Sequence, residues 1–268
     1  MDAIKQYLSA GQLQQAIEQA QADIRKAPGA NELRACLIEL LCLAGDLERA
    51  DEVLTKLAKH HPDWIPGAAN LRQLLRAQQA RLALREGKLA DDVVATAGPA
   101  LEALLAVNLN LSTGQADAAQ AAAAELEASR QPVQFSAGEH QGDLRDCDDS
   151  LGPFLEGLGT DGRYYLWQWH EIQALTLHKP ASPVELVWRR ADVALADGRQ
   201  GEVFVPLTYA ASSTDSQRLG RETDWLEAAP GVVTGVGLKL FLLGDDAVAL
   251  DSLAHLERCD SVTATEHA

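Results

Sequence analysis

The residues able to do chemistry are few, and they do not assemble into a reaction set. His170-Glu171 opens like the zinc motif H-E-x-x-H, where two imidazoles one helical turn apart face one ion, but position 174 is alanine. His178 lies too far along to replace it. Gly235-Val236-Gly237 lacks the third glycine and the acidic partner of a dinucleotide loop, and reads as strand or turn glycine. Neither G-x-S-x-G nor the phosphate-cradling G-x-x-x-x-G-K occurs. Asp148-Asp149 and Asp245-Asp246 offer carboxylates to a hard cation, yet adjacent side chains point apart, and turns and helix caps use such acids routinely. Cys36, Cys42, Cys147 and Cys259 form no C-x-x-C pair and read as reduced thiols. The expectation is therefore no catalytic residue, no metal and no cofactor. A hydrolase hidden in the second half, its nucleophile and base meeting only in space, is the alternative.

Residues suited to holding another chain are easier to find. Arg218, Arg221, Asp224 and Trp225 form a polar-aromatic cluster in what reads as a loop. It is either a partner contact or a buried Arg–Asp pair with a tryptophan plug, and the anchoring reading is preferred because a long loop needs such fastening. Trp167, Trp169 and Trp188 are interface candidates whose default is the core. In the first half Tyr7, Arg34 and Arg72 are candidates for the lining of a groove.

These side chains must be positioned by two different kinds of chain. Gly45-Asp46-Leu47-Glu48-Arg49-Ala50 repeats Gly11-Gln12-Leu13-Gln14-Gln15-Ala16 at an interval of 34, and Pro62 follows Pro28 by the same step. That is the length of a tetratricopeptide-type helix–turn–helix unit. The glycine permits a left-handed exit from the first helix, and the alanine lets the second approach closely. A third copy stands at Gly114-Gln115-Ala116-Asp117-Ala118-Ala119, while the unit around Gly87 is out of step. Residues 2 to about 130 read as helix throughout, in three to four hairpins, with Ala116–Ala124 a packing helix. After Pro132 the tyrosines, tryptophans and glycines concentrate. Strands are expected at 163–169 and 172–177, and a hairpin at 191–196 and 202–207. A second hairpin is expected from Val232–Leu243 and Leu250–Leu256, with helix as the alternative for the last piece, and a short helix at Leu151–Leu158 capped by Asp148-Asp149-Ser150. The fold class is thus α+β: a TPR-like helical-hairpin array over 1–132, a small α+β domain with a partly antiparallel sheet over 133–260, and a frayed tail over 261–268.

Composition narrows the partners. The 268 residues carry a formal charge of −16 and are 47% hydrophobic, a globular balance. Residues 1–135 contribute −4 and residues 136–268 contribute −12. With no basic stripe, nucleic acid and anionic membrane are disfavoured. The best apolar run, Val93–Leu111, is broken by Pro99 and Glu102 and is not a membrane span. The N-terminus shows no apolar signal segment, so a cytoplasmic protein is expected.

The second half carries a more specific pattern. Gly201-Glu-Val-Phe-Val-Pro-Leu-Thr-Tyr209, Arg218-Leu-Gly-Arg-Glu-Thr-Asp-Trp225 and Gly235-Val-Gly-Leu-Lys-Leu-Phe-Leu-Leu-Gly-Asp-Asp246 resemble the ImpE/TagJ family. Asp146-Cys-Asp-Asp-Ser-Leu-Gly-Pro-Phe-Leu-Glu156, Tyr164-Tyr165 and Trp188-Arg189 look like the same pattern, although the family more often has alanine where Cys147 stands. The resemblance implies a non-enzymatic accessory component of the bacterial type VI secretion system. It implies as partner the small sheath subunit of the contractile tail, bound through that subunit's N-terminal helix, with a link to the ClpV ATPase that recycles sheaths. Helical hairpins suit such a role because their concave face accepts an amphipathic helix. A general scaffold or chaperone for another peptide client is the alternative.

Overall fold

Glycine sets the rhythm of the first half. In the computed structural model, which describes residues 1–259, helices run over Asp2–Ser9 (α1), Leu13–Lys26 (α2), Asn31–Leu43 (α3), Leu47–His60 (α4), Ile65–Arg85 (α5), Pro99–Ser112 (α6) and Ala116–Ala128 (α7). Gly45 ends α3 at φ 73°; its N–H donates to the Cys42 carbonyl (3.1 Å), and the Asp46 N–H reaches back to Leu41 (3.0 Å). This double bond is a Schellman cap, and it needs a residue without a Cβ. The same pair of bonds closes α1 at Gly11, α5 at Gly87 and α6 at Gly114. Five residues beyond three of these glycines, Ala16, Ala50 and Ala119 are fully buried. Successive helices touch along the chain from α1 to α7.

The unit at Gly87 keeps the cap but loses the second helix. The chain enters strand β1 (Val93–Ala95) instead, which corrects the expectation of helix throughout residues 2–130. Two β-branched valines favour that outcome, and a partner edge is waiting. β1 pairs in parallel with β5 (Tyr164–Gln168), Val94 lying opposite Tyr165.

The remaining strands are β2 (Gln134–Ala137), β3 (His140–Asp146), β4 (Phe154–Gly159), β6 (Ile172–Leu177), β7 (Trp188–Leu195), β8 (Gln200–Pro206), β9 (Thr223–Ala229), β10 (Val232–Gly237), β11 (Leu240–Leu243), β12 (Asp246–Ala249) and β13 (His255–Arg258); a one-turn helix, α8, covers Asp215–Arg218. One sheet takes eleven of them in the order β1-β5-β4-β8-β7-β6-β13-β2-β3-β11-β12, and β9 and β10 form a separate ribbon. The sheet is larger than the small one expected, and every neighbouring pair except β1–β5 is antiparallel. Mixed helix and sheet bears out the α+β class. The expected strands at 163–169 and 172–177 and the hairpin of β7 and β8 are present.

Three local expectations fail for identifiable reasons. Leu151–Leu158 is a turn followed by β4, not a capped helix. Gly152-Pro153 interrupts it, and Gly157 is required because a Cβ there would come within 2.6 Å of the Trp167 ring. Val232–Leu243 splits at Gly237 into β10 and β11, which join different sheets. Gly237 has φ 85°, and a Cβ on it would meet the Glu222 carbonyl at 1.9 Å. The partner of β11 in its hairpin is β12, and Leu250–Ser252 is a 3-10 turn. The tail expected to fray, 261–268, lies outside the described residues.

The sheet's two faces serve different cores. Phe154, Leu158, Tyr164, Leu166, Trp188 and Phe204 face the helices and share one cluster with Ile4, Leu40 and Leu104. Leu155, Val193, Val203 and Val205 face the other way, into a second cluster with Phe135, Trp169, Phe241 and Leu256. Residues from strands far apart in the order meet there, so the sheet curls to enclose its own core.

Candidate functional site

The deepest polar assembly lies where α5 meets the sheet. Arg81 and Arg85 project from the same face of α5 as Leu74 and Ala77, one turn apart, so the helix carries its charge into the core. Arg81 grips Glu156 of β4 with two parallel bonds, Nε to Oε1 at 2.7 Å and Nη2 to Oε2 at 2.8 Å, and donates also to the Thr208 carbonyl (2.8 Å). Lys239, in the link between β10 and β11, lies 2.6 Å from Glu156 Oε2 and 3.0 Å from Asp146 Oδ2. The Tyr164 hydroxyl donates to Glu156 (2.6 Å) and that of Tyr209 to Asp146 (2.8 Å). Asp148 accepts the Gly235 N–H (3.0 Å) and bonds Ser150, with Arg85 3.6 Å away. None of Arg81, Asp146, Asp148, Glu156, Tyr164, Tyr209 and Lys239 is more than 2% exposed.

The charges nearly cancel, and the titrations of Glu156, Asp146, Tyr164 and Tyr209 report their company. Burial would push Glu156 up, but Arg81 and Lys239 outweigh it and hold the carboxyl well below its usual range. Asp146 goes the other way: burial dominates, and its nearest cation is shared with Glu156 and sits closer to that partner. Burial, then the neighbouring carboxylate, raises Tyr164 well above 10, and Tyr209 moves the same way beside Asp146. Both oxygens of Glu156 and of Asp146 are occupied by donors. Chemically the assembly is a clamp. Sequence reasoning missed it, although Gln78, Arg81 and Arg85 at core spacing in α5 and a lone lysine in Gly-Leu-Lys-Leu-Phe were visible signals.

A groove of about 570 Å³ opens between α2, α3 and α4. Ile24, Leu37, Val53 and Leu57 make its apolar floor, and Asn31, Arg34, Lys56 and His61 make its rim. Arg34 is fixed there by bonds to the Pro28 and Ala30 carbonyls. Arg72 lines no part of it: it ties α5 to α4, donating to Asp51 (2.7 Å) and Thr55 (2.9 Å). Tyr7 is half-buried on α1, away from the groove.

The tryptophans separate. Trp169 is 1% exposed, edge-on to Phe135 and Phe241, and donates to the Gly152 carbonyl. Trp188 is 3% exposed, in the core shared by sheet and helices. Burial removes both as surface contacts. Trp167 stays half-buried, stacked on Tyr165 with centroids 4.9 Å apart.

The stretch 218–225 is not the buried Arg–Asp pair expected. Its fastening is to the helices: the Arg221 guanidinium donates to the Leu8 carbonyl (3.2 Å), and Asp215 accepts the Gln14 N–H (2.9 Å). Arg218 borders a small cleft with Trp188 and Tyr209. Asp224 and Trp225 are exposed on β9, where Asp224 bonds only the Trp225 N–H (2.8 Å) and Trp225 leans on Tyr209 at 5.9 Å. The pair fails to form because Arg221 is taken by the Leu8 carbonyl, while Asp224 sits on a stretch of ribbon exposed on both faces.

Known proteins share this architecture. A family model described as "ImpE protein" matches residues 138–257. Over 258 residues the chain is 28% identical to the "Type VI secretion system accessory component TagJ" of Pseudomonas aeruginosa (strain PAO1), spanning 94% of this chain and 90% of that protein. Residues 138–257 thus carry an ImpE domain, and the similarity to TagJ runs along nearly the whole chain. An X-ray crystal structure of a Vibrio parahaemolyticus protein matches with a TM-score of 0.92 at 36% identity, covering 97% of this chain and 98% of that one. The ImpE match begins just before β3 and ends within β13, so it takes in Asp146, Glu156, Tyr164, Tyr209, Lys239 and the ribbon, but neither α5 nor the groove. No described helix is long and apolar enough to cross a membrane.

Proposed function

We propose that this ImpE-domain protein is a non-enzymatic, cytoplasmic accessory component of a type VI secretion system, and that it holds the N-terminal helix of the small sheath subunit. The relationship to TagJ along nearly the whole of both chains carries the reading. The helical half acts as a TPR-like array, its repeated glycine caps stacking α1 to α4 around the groove. Ile24, Leu37, Val53 and Leu57 suit apolar anchors at i, i+3, i+4 and i+7 of an amphipathic helix, with Arg34 and Lys56 on its polar margin. A link to the ClpV ATPase would arise if the bound sheath subunit is the one that enzyme recycles. Against catalysis stands the clamp, whose acids are committed to internal cations.

Calorimetry with a synthetic peptide of the sheath subunit's N-terminal helix tests the proposal. Binding is expected, and Val53→Asp, which places a charge on the groove floor, weakens it by about tenfold or more. Arg34→Glu at the rim gives a smaller loss of the same sign. No binding at high micromolar peptide, with the protein folded, would overturn the sheath assignment.

A further inference from the structure

The ribbon of β9 and β10 presents a surface that the proposed sheath contact does not use. From Asp224 to Ala228 all five residues of β9 are exposed, on both faces of the strand, and only Ala229 at its end is buried. The helical array covers that end, where Ala229 and Val232 join the core of Ala119 and Ala122. The middle stands free, and Trp225 and Leu226, 37% and 48% exposed, are among the few large apolar side chains in the open. β9 is the outer strand of a two-stranded sheet, paired only with β10.

Charge says what would cover it. Glu222, Asp224 and Glu227 flank the two apolar residues, and none has a cationic partner among the described residues. The Glu222 carboxylate accepts only from the Thr214 hydroxyl, that of Asp224 from the Trp225 N–H, and that of Glu227 from the Gly231 N–H. What sets these three apart from the chain's other unpaired acids is that they bracket two exposed apolar side chains on one short ribbon. A second copy is a poor occupant, because each chain carries −16 and would bring the same three acids to the contact. From the exposed Trp225 and Leu226 between unpaired carboxylates, we infer that β9 is a docking surface for a lysine- or arginine-rich segment of a different protein. The segment's apolar side chains seat on Trp225 and Leu226, and its cations meet Glu222, Asp224 and Glu227. Trp225 is the kind of aromatic anchor on which interface energy concentrates.

Fluorescence anisotropy of the full chain with a labelled peptide of about eight residues, lysine alternating with valine, tests this surface. The same peptide with glutamate for lysine controls for the apolar part. The lysine peptide alone should bind, and Leu226→Ser, Trp225→Ala and the double change Glu222→Gln/Glu227→Gln should each weaken it by about fivefold to tenfold. Leu226→Ser keeps the test valid if Trp225→Ala disturbs Tyr209. The distant double change Glu52→Gln/Glu86→Gln should leave binding unchanged. Equal losses from the distant and the ribbon changes would show attraction to net charge and overturn the assignment, as would no binding, or self-association through β9 seen by analytical ultracentrifugation. Groove variants that abolish sheath-peptide binding should leave this binding intact, so the two proposals fail separately.

Discussion

The clamp beneath α5 and the ribbon of β9 use the same side-chain chemistry to opposite ends. Under α5, Arg81, Lys239, Glu156 and Asp146 are sealed from water and matched cation to anion. On β9 and just before it, Glu222, Asp224 and Glu227 are exposed and have no cation among the described residues. Charges matched inside the fold are spent on the fold, whereas charges left over beside exposed tryptophan are available to another molecule.

The strongest way to break this contrast is to unmatch the clamp. Glu156→Gln should destabilise the chain by about 3–5 kcal/mol in urea unfolding, since it strands two buried cations. Replacing Arg81 and Glu156 together with methionine and leucine should recover most of that loss, because Lys239 and Asp146 still pair. A single change no costlier than a surface substitution would mean that the buried charges are not coupled as their geometry indicates.

Alkaline pH probes the same region without mutation. Tyr164 and Tyr209 are raised above the ordinary value near 10, so the native state keeps protons that the unfolded chain releases. Their contribution is complete below pH 10 and falls as pH rises, by about 1.4 kcal/mol per pH unit for each tyrosine. Phenolate absorbance from these two should appear together with loss of near-ultraviolet circular dichroism, not before it.

A smaller effect separates two glycines of equal conformation. Gly45 (φ 73°) has no atom near the position of a Cβ, so Gly45→Ala should cost about 1 kcal/mol, the left-handed penalty alone. Gly87 (φ 77°) would drive its Cβ to 2.8 Å from the Leu109 backbone, and Gly87→Ala should cost distinctly more in the same thermal melt. The smallest effect belongs to the ribbon: Glu227→Gln should change stability by less than about 0.5 kcal/mol while lowering affinity for the lysine peptide.

How much could be read from the residues alone depended on how local each signal is. The helix ends at Gly11, Gly45 and Gly114 were readable because a Schellman cap is written in adjacent residues, and so was the hairpin around Asp197-Gly198. The clamp was not readable as a unit, because its members lie at 81, 146, 156, 164, 209 and 239 and only the fold collects them. The expected helix at 151–158 failed on a local signal, the Gly152-Pro153 interruption, and on a distant one, since Gly157 serves a ring ten residues away, which no local propensity encodes. The Arg–Asp pair of 218–225 fails for a related reason: neighbours in sequence part in space, Arg221 turning to the distant Leu8 carbonyl while Asp224 stays on the open ribbon.

Strand β1 has one more implication. It comes from the helical half and lies along β5, so a cut at residue 132 would not yield two tidy pieces. The piece beginning at 133 would display a bare strand ending near Trp167, a template for sticking to its own kind. Severing the chain there should yield a sheet fragment that precipitates, unless residues 93–95 travel with it.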